Sequence, residues 1–390
     1  MDGVGEQRYP KKGVLTAVNN VKEKLSPALV GQNLADLKGC DKVLCDADPS
    51  PQKTNIGGNA ITATSFAVAE AGASFLGIPL YMHLAQQFYS PERLVPEKFS
   101  IPSPMVNVLN GGKHAGGKLK VQEFMLIPKR GIPFREALRS VTEAYHHLGK
   151  VLVEKYEDVA AKNLGDEGGY APAKIEAPEE AIEVLEEAIT KAGYRPGEDI
   201  YLALDCAASE FYSKETKMYQ LTEGAEFSTD DMIEFYEKLV EAHPALVSIE
   251  DPLDQDDTNG WMELVKRLGS KVMIVGDDLY TSNPERIQMG LSGNWANALL
   301  LKVNQIGTIS EAMRAARLHM DAELPVIVSH RSGETTSALI ADLAVGIGAR
   351  FIKTGAPARG ERVAKYNRLL QIEEELSAVG KLEMGAPGWK

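Results

Sequence analysis

Six short apolar runs in the second half of the chain each stop abruptly on an ionisable side chain, and that pattern leaves few folds open. The runs are Tyr201-Leu202-Ala203-Leu204-Asp205, Leu246-Val247-Ser248-Ile249-Glu250 and Val272-Met273-Ile274-Val275-Gly276-Asp277. Ala298-Leu299-Leu300-Leu301-Lys302, Val326-Ile327-Val328-Ser329-His330 and Phe351-Ile352-Lys353 complete the set. Near-continuous apolar runs are the signature of strands covered on both faces. A helix-patterned segment follows each run, and parallel α/β sheets place their chemistry at the strand ends that precede such helices. The six terminal residues are therefore expected on one rim: three carboxylates, two lysines and a histidine.

The first half supplies the rest of the architecture. Residues 11–30 carry Val14, Val18, Val21, Leu25, Ala28 and Leu29 at helical spacing. Segment 57–88 is alanine-rich and helix-compatible, interrupted at Gly77-Ile78-Pro79. Residues 90–104 hold Pro91, Pro96, Pro102 and Pro104 and read as a connector, dividing the chain into domains 1–98 and 99–390. Two β-like stretches follow, Met105 to Leu109 and Glu123 to Pro128, then helical stretches at 133–156 and 178–194. Later helices are expected at 228–243, 258–268, 283–291, 308–321, 335–346 and 360–376. Two strands, two helices and six strand–helix units make eight strands, which predicts a closed α/β barrel with an irregular start. An open doubly wound sheet is the alternative. No GxGxxG follows a first strand, so dinucleotide binding is not indicated.

The net charge of −13 argues against nucleic acid or an anionic membrane as a general partner. An anionic substrate stays open, because a divalent cation can reverse the local sign. Cys40, Cys45 and Cys206 show no CxxC spacing, which predicts free thiols rather than a disulfide framework or zinc site. The absence of a signal-like or membrane-length apolar segment leads to an expected cytoplasmic location.

Asp205, Glu250 and Asp277 close three different strands and can meet only at the rim. Two like charges ~4 Å apart repel by about 4 kcal/mol at an effective dielectric of ~20. Three together would take up a proton or a cation, and an all-oxygen donor set suits Mg²⁺; separate pairing with helix lysines or arginines is the alternative. Lys302 and Lys353 are candidate bases, because desolvation lowers a lysine pKa, or else counter-ions for the acids. Glu167, in Asp166-Glu167-Gly168-Gly169, is either a general acid or a solvated turn residue. His330-Arg331-Ser332 offers donors for a phosphate. His114, in a glycine-rich loop without the P-loop ending, could close over a ligand or stand exposed. Cys206 reads as packing, and Glu373-Glu374-Glu375 as a solvated helix face.

Taken in order, these segments resemble enolases. The resemblance rests on Gln122-Glu123-Phe124-Met125, Gly165-Asp166-Glu167-Gly168-Gly169, Ser248-Ile249-Glu250-Asp251-Pro252 and Gly276-Asp277-Asp278-Leu279. It rests equally on Leu301-Lys302-Val303-Asn304-Gln305-Ile306-Gly307, Ser329-His330-Arg331-Ser332-Gly333-Glu334 and Lys353-Thr354-Gly355-Ala356-Pro357. It runs from about residue 8 to 376. It implies reversible dehydration of 2-phosphoglycerate to phosphoenolpyruvate, two Mg²⁺ ions, an α+β cap domain and a barrel beginning ββαα. By the resemblance, Asp205, Glu250 and Asp277 hold the tighter Mg²⁺, Lys302 is the base, and Glu167 is the acid, supported by Glu123. Arg331 and Ser332 contact the phosphate, Lys353 sits by the substrate carboxylate with Gln122 nearby, and His114 and His330 line the closing site.

The sequence also departs from the family pattern. Asp2-Gly3 already falls inside the family pattern, so the family's first cap strands and the mobile serine loop, which binds the second Mg²⁺, are expected to have no counterpart here, either as a true truncation or through a misassigned start or a shortened isoform. Ala47-Asp48-Pro49-Ser50-Pro51-Gln52 differs from the usual turn, and Gln371 replaces an arginine that pairs across the family's dimer. These departures predict a truncated, mostly helical cap, a second metal site in doubt, a weakened homodimer and reduced turnover. The alternative reading is a catalytically impaired protein with a binding or regulatory role. An enolising enzyme acting on a non-phosphorylated substrate is a third, which the His330-Arg331-Ser332 cluster disfavours.

Overall fold

The computed structural model describes residues 12–90, 93–115 and 117–384. The side chains of Lys113 and His114 lie outside that set, as does everything expected of residues 1–11. The chain begins with a helical stretch of three pieces, Leu15–Asn20, Val21–Leu25 and Ser26–Leu29. Helices α1 (Leu37–Ala47), α2 (Gly58–Leu76) and α3 (Leu80–Tyr89) follow. Helix α2 ends where Gly77 adopts a left-handed φ of 66°, the conformation glycine reaches at no steric cost. Pro79 then starts α3. Helix α1 escapes the sequence reading. Its inward positions are Leu37, Cys40, Asp41 and Leu44, so an aspartate and a cysteine interrupt the apolar period.

Eight strands close a barrel. In chain order they are β1 (Ser103–Asn110), β2 (Glu123–Pro128), β3 (Ile200–Asp205), β4 (Leu246–Glu250), β5 (Met273–Gly276), β6 (Ala298–Leu301), β7 (Val326–Ser329) and β8 (Phe351–Lys353). Strand β2 runs antiparallel to both β1 and β3, and the other neighbours are parallel. Helices α4 (Phe134–Tyr156) and α5 (Pro178–Lys191) separate β2 from β3, so the barrel does begin ββαα. The remaining helices longer than two turns are α6 (Thr229–Ala242), α7 (Thr258–Leu268), α8 (Pro284–Gly293), α9 (Ile309–Asp321), α10 (Leu339–Ile347) and α11 (Gly360–Ala378). They form the outer ring.

The barrel is plugged. Met105, Met125, Ala203, Met273, Val275, Ala298, Leu300, Ile327 and Phe351 pack against one another inside it. Side chains alternate across a strand with period two, so the next inward position along each strand faces the rim. Asn107 stands two residues beyond Met105, Asp205 beyond Ala203, Asp277 beyond Val275, Lys302 beyond Leu300 and Lys353 beyond Phe351. On the reversed strand β2 the order inverts, and Glu123 precedes Met125. One layer of apolar side chains thus supports one layer of polar and ionisable ones.

The last helix holds a correction. Glu373 is buried, and its carboxylate accepts hydrogen bonds from the backbone N–H groups of Phe134 and, at 3.2 Å, Arg135. It therefore serves the open N-terminus of α4 instead of facing solvent. Glu374 and Glu375 are exposed, as expected of the run.

Candidate active site

The rim collects the acids and the lysines into one network. Glu123, Asp205 and Glu250 are in register on adjacent strands β2, β3 and β4, and all three are buried. The Lys353 ammonium reaches all of them. Its Nζ lies 2.8 Å from Asp205 Oδ2, 3.0 Å from each Glu250 oxygen and 3.2 Å from Glu123 Oε2. Burial works to lower the Lys353 pKa, but the charges of Asp205, Glu123 and Glu250 outweigh it, and the net direction is up. In this arrangement Lys353 is a counter-ion. Burial, reinforced by Asp205, pushes the Glu250 carboxyl well up, and burial with Glu167 does the same to Glu123.

Lys302 departs from expectation. Its Nζ donates to Asp277 Oδ2 at 2.5 Å. Burial alone would depress its pKa, the direction read from sequence; the neighbouring Asp277 charge reverses it, and the pKa is raised. Lys302 is thus a protonated partner here. It gains a base's lone pair only when Asp277 is otherwise engaged.

Glu167 is buried, which excludes the solvated-turn alternative. Its segment runs beside β1, with Tyr170 N–H donating to Val108 O at 2.9 Å and Asn110 N–H to Tyr170 O at 2.7 Å. That close approach requires glycine: a Cβ on Gly169 would meet Asn110 Oδ1 at 2.5 Å and Leu109 N at 3.1 Å. The Glu167 carboxylate accepts from Asn107 Nδ2 and from Ser332 Oγ, each at 3.1 Å, and lies 3.3 Å from His330 Nε2. Arg362 fixes the tautomer of that histidine. Its Nη1 lies 2.5 Å from His330 Nδ1, and a guanidinium only donates, so the ring proton sits on Nε2, toward Glu167. Burial lowers the His330 pKa and keeps the ring neutral.

Arg362 is a functional residue that the strand-end reading misses. It is buried at the start of α11 and donates to Arg331 O at 2.7 Å and Ser332 O at 2.6 Å as well. It shapes the turn carrying Arg331 and Ser332, both exposed on the rim. Nothing in the sequence sets it apart from Arg359 or from an ordinary helix start. Gln122 is half-buried beside Glu123, its backbone N–H donating to the backbone carbonyl of Asp205 at 3.0 Å. Cys206 is buried and free, and Cys40 and Cys45 are also free. Burial raises the Cys206 pKa, so packing is its role.

Five carboxylates, from Glu123, Glu167, Asp205, Glu250 and Asp277, face the two ammonium groups of Lys302 and Lys353. This donor set is all oxygen and holds more negative charge than the lysines offset, which fits a hard divalent cation such as Mg²⁺. A second acidic group lies alongside: Asp251, Asp277 and Asp278 bring ligand atoms within 4.8 Å of one another. Asp251 is already committed, its two oxygens accepting from the N–H groups of Asp277 at 3.0 Å and Asp278 at 2.8 Å. It braces the turn after β5. Asp277 is the acid common to both groupings.

Comparison with known proteins bears on this geometry. Residues 98–386 match the family model of the enolase C-terminal TIM barrel domain, and residues 1–84 match that of the enolase N-terminal domain. Similar proteins include the enolase of Thermococcus kodakarensis, 48% identical over 375 residues, which are 96% of this chain and 84% of that protein. The enolase of Pyrococcus furiosus is 49% identical over 375 residues, with the same coverage of 96% and 84%. That of Methanopyrus kandleri is 47% identical over 381 residues, 98% of this chain and 86% of its own length.

Proposed function

The chain belongs to the enolase family, and from that premise we propose which of its residues carry the family's reaction. It is a lyase, a phosphopyruvate hydratase that reversibly dehydrates 2-phospho-D-glycerate to phosphoenolpyruvate in glycolysis and gluconeogenesis. Enolases depend on Mg²⁺. Asp205, Glu250 and Asp277 would hold it, and when bound it supplies positive charge against the negative charge that grows on the substrate carboxylate.

The work of the other residues follows from their partners. Lys302, once Asp277 no longer stabilises its ammonium and that proton has passed to solvent, takes the proton from the carbon next to the carboxylate. The C–H electron pair moves toward that carboxylate and then expels the hydroxyl from the neighbouring carbon. Glu167, with Glu123 beside it, gives the proton that lets the hydroxyl leave as water. His330 keeps Glu167 oriented through Nε2–H. Arg331 and Ser332 bind the phosphate, and Lys353 with Gln122 faces the substrate carboxylate. His114 is assigned to the closing site by resemblance alone.

The observation that carries this reading is the contact between Lys302 and Asp277 at adjacent strand ends, inside one layer that also holds Glu123, Asp205, Glu250 and Lys353. Lys302→Ala and Glu167→Gln are each expected to lower kcat for phosphoenolpyruvate formation by roughly 10²–10⁴. Activity within a few-fold of wild type in either variant would reject the assignment. No finding favours the impaired, purely regulatory alternative.

The same reading divides the chain into a cap, 1–98, and a catalytic barrel, 99–390. We place the reaction in the cytoplasm; no single helix among the described residues is long and apolar enough to cross a membrane. A homodimer is the assembly implied by the family, and light scattering across concentration tests it. The second Mg²⁺ is tested by calorimetric stoichiometry with substrate present.

A further inference from the structure

Two side chains that contribute no charge to the rim join its base to one of its acids. Ser282 lies in the turn between β5 and α8 and is fully buried. Its Oγ accepts from the backbone N–H of Lys302 at 2.8 Å. The same Oγ donates to Gln305 Oε1 at 2.6 Å, and Gln305 Nε2 donates to Asp277 Oδ1 at 2.8 Å. Asp277 Oδ2 then receives the Lys302 ammonium at 2.5 Å. The four residues close a ring that leaves the backbone of Lys302 and returns at its side chain.

The direction of this ring is fixed by chemistry. A backbone N–H can only donate, so the Ser282 oxygen accepts at that point and keeps its single proton for another partner. That proton goes to the amide oxygen of Gln305. The amide nitrogen is thereby turned toward Asp277, where it meets a carboxylate, which only accepts. Each bond of the ring pairs one donor with one acceptor, and neither the glutamine amide nor the serine hydroxyl can reverse without setting two donors or two acceptors against each other. A consistently paired, largely buried ring of this kind favours one arrangement.

Ser282 keeps its place at a conformational cost. Its φ is 53°, following Thr281 at 46°. Left-handed backbone at residues other than glycine costs of order 1–3 kcal/mol and persists only where surrounding contacts enforce it. In this turn the contacts are the hydroxyl bonds to Lys302 and Gln305, with Asp251 bracing the same turn from the Asp277 end.

We propose that Ser282 and Gln305 are positioning residues that set the orientation of the Asp277 carboxylate for Mg²⁺ and couple it to the placement of Lys302. The inference rests on the assignment of Asp277 as a metal ligand made above. Ligand-orienting partners typically affect metal affinity or activity by 10- to 100-fold.

The test is calorimetric titration of the full chain with Mg²⁺ alone, alongside thermal unfolding in the absence of Mg²⁺ and steady-state kinetics. Ser282→Ala and Gln305→Leu are each expected to weaken Mg²⁺ binding by roughly 10- to 100-fold and to lower kcat more than they raise the substrate KM. The double variant is expected to be no worse than the weaker single one, because either loss opens the same ring. Ser282→Thr retains the hydroxyl but puts a β-branched side chain at positive φ. It is expected to melt earlier while keeping its Mg²⁺ affinity, which separates positioning from mere stability. Affinity that falls in step with melting temperature across all four variants would overturn the proposal, as would single-variant losses that multiply in the double variant. Asp277→Asn is the control. If it leaves Mg²⁺ binding intact, the metal assignment itself is wrong. If it abolishes binding while Ser282→Ala and Gln305→Leu do not change it, only the positioning role is lost.

Discussion

His319 illustrates how one side chain on the outer ring can govern acid stability. It is fully buried on α9, and burial pushes its pKa down to about 4 against the opposing effect of nearby backbone at Leu324 and Pro325. The unfolded chain takes up that proton near the reference pKa of ~6.5, so between these values the unfolded state binds more protons and stability falls as pH falls. Replacing His319 with Leu removes this term. The stability difference between variant and wild type is expected to shift in the variant's favour by about 2 kcal/mol between pH 7 and pH 5, measured by urea unfolding at each pH. A pH-independent difference would contradict the assignment. Residue identities at the rim were legible because each charge closes an apolar run. Their ionisation was not. The raised pKa of Lys302 depends on a 2.5 Å contact with Asp277, which joins positions 25 residues apart in sequence. Arg362 and Ser282 carry no strand-end signal, and only the folded geometry reveals them.

At the scale of elements, the barrel helices followed from apolar periodicity, and α1 did not because half its buried face is Cys40 and Asp41. Glu373 shows the complementary difficulty. Periodicity marks which side of a helix turns inward but does not identify what awaits it there. In α11 a glutamate turns inward because α4 presents unpaired N–H groups to it. Glu373→Ala leaves the N–H groups of Phe134 and Arg135 without this acceptor, and is expected to cost about 2 kcal/mol. Glu373→Gln, which retains one acceptor oxygen, should recover roughly half of that loss. Denaturant unfolding measures both, and an unchanged midpoint for the alanine variant would show that the cap contributes nothing.

For the whole molecule, six charge-terminated runs and two earlier strands sufficed to predict a closed eight-stranded barrel. They could not show that Lys353 would bridge three acids, since the count of strands does not say which side chains meet. That bridging has a thermodynamic consequence. Like charges buried at one rim oppose folding, and Lys353 offsets part of this before any cation arrives. Mg²⁺ binding only to the folded rim should raise stability by about 2.7 kcal/mol at 100 times its Kd. Chelation with EDTA should remove the gain, and a melting temperature indifferent to Mg²⁺ would count against the rim as its site. The larger departure lies in β2, which runs opposite to the other barrel strands adjoining it. Every other rim acid on a strand is set by where its strand stops, but Glu123 is set by where β2 starts. A single-residue deletion in the link before it that slid β2 along its partners by one position would swap inward and outward faces along the strand. Glu123 would then point into the helical shell, and Phe124 would take its place in the cluster of acids. The place of Glu123 among the acids is thus fixed by the pairing register of β2 with β1 and β3.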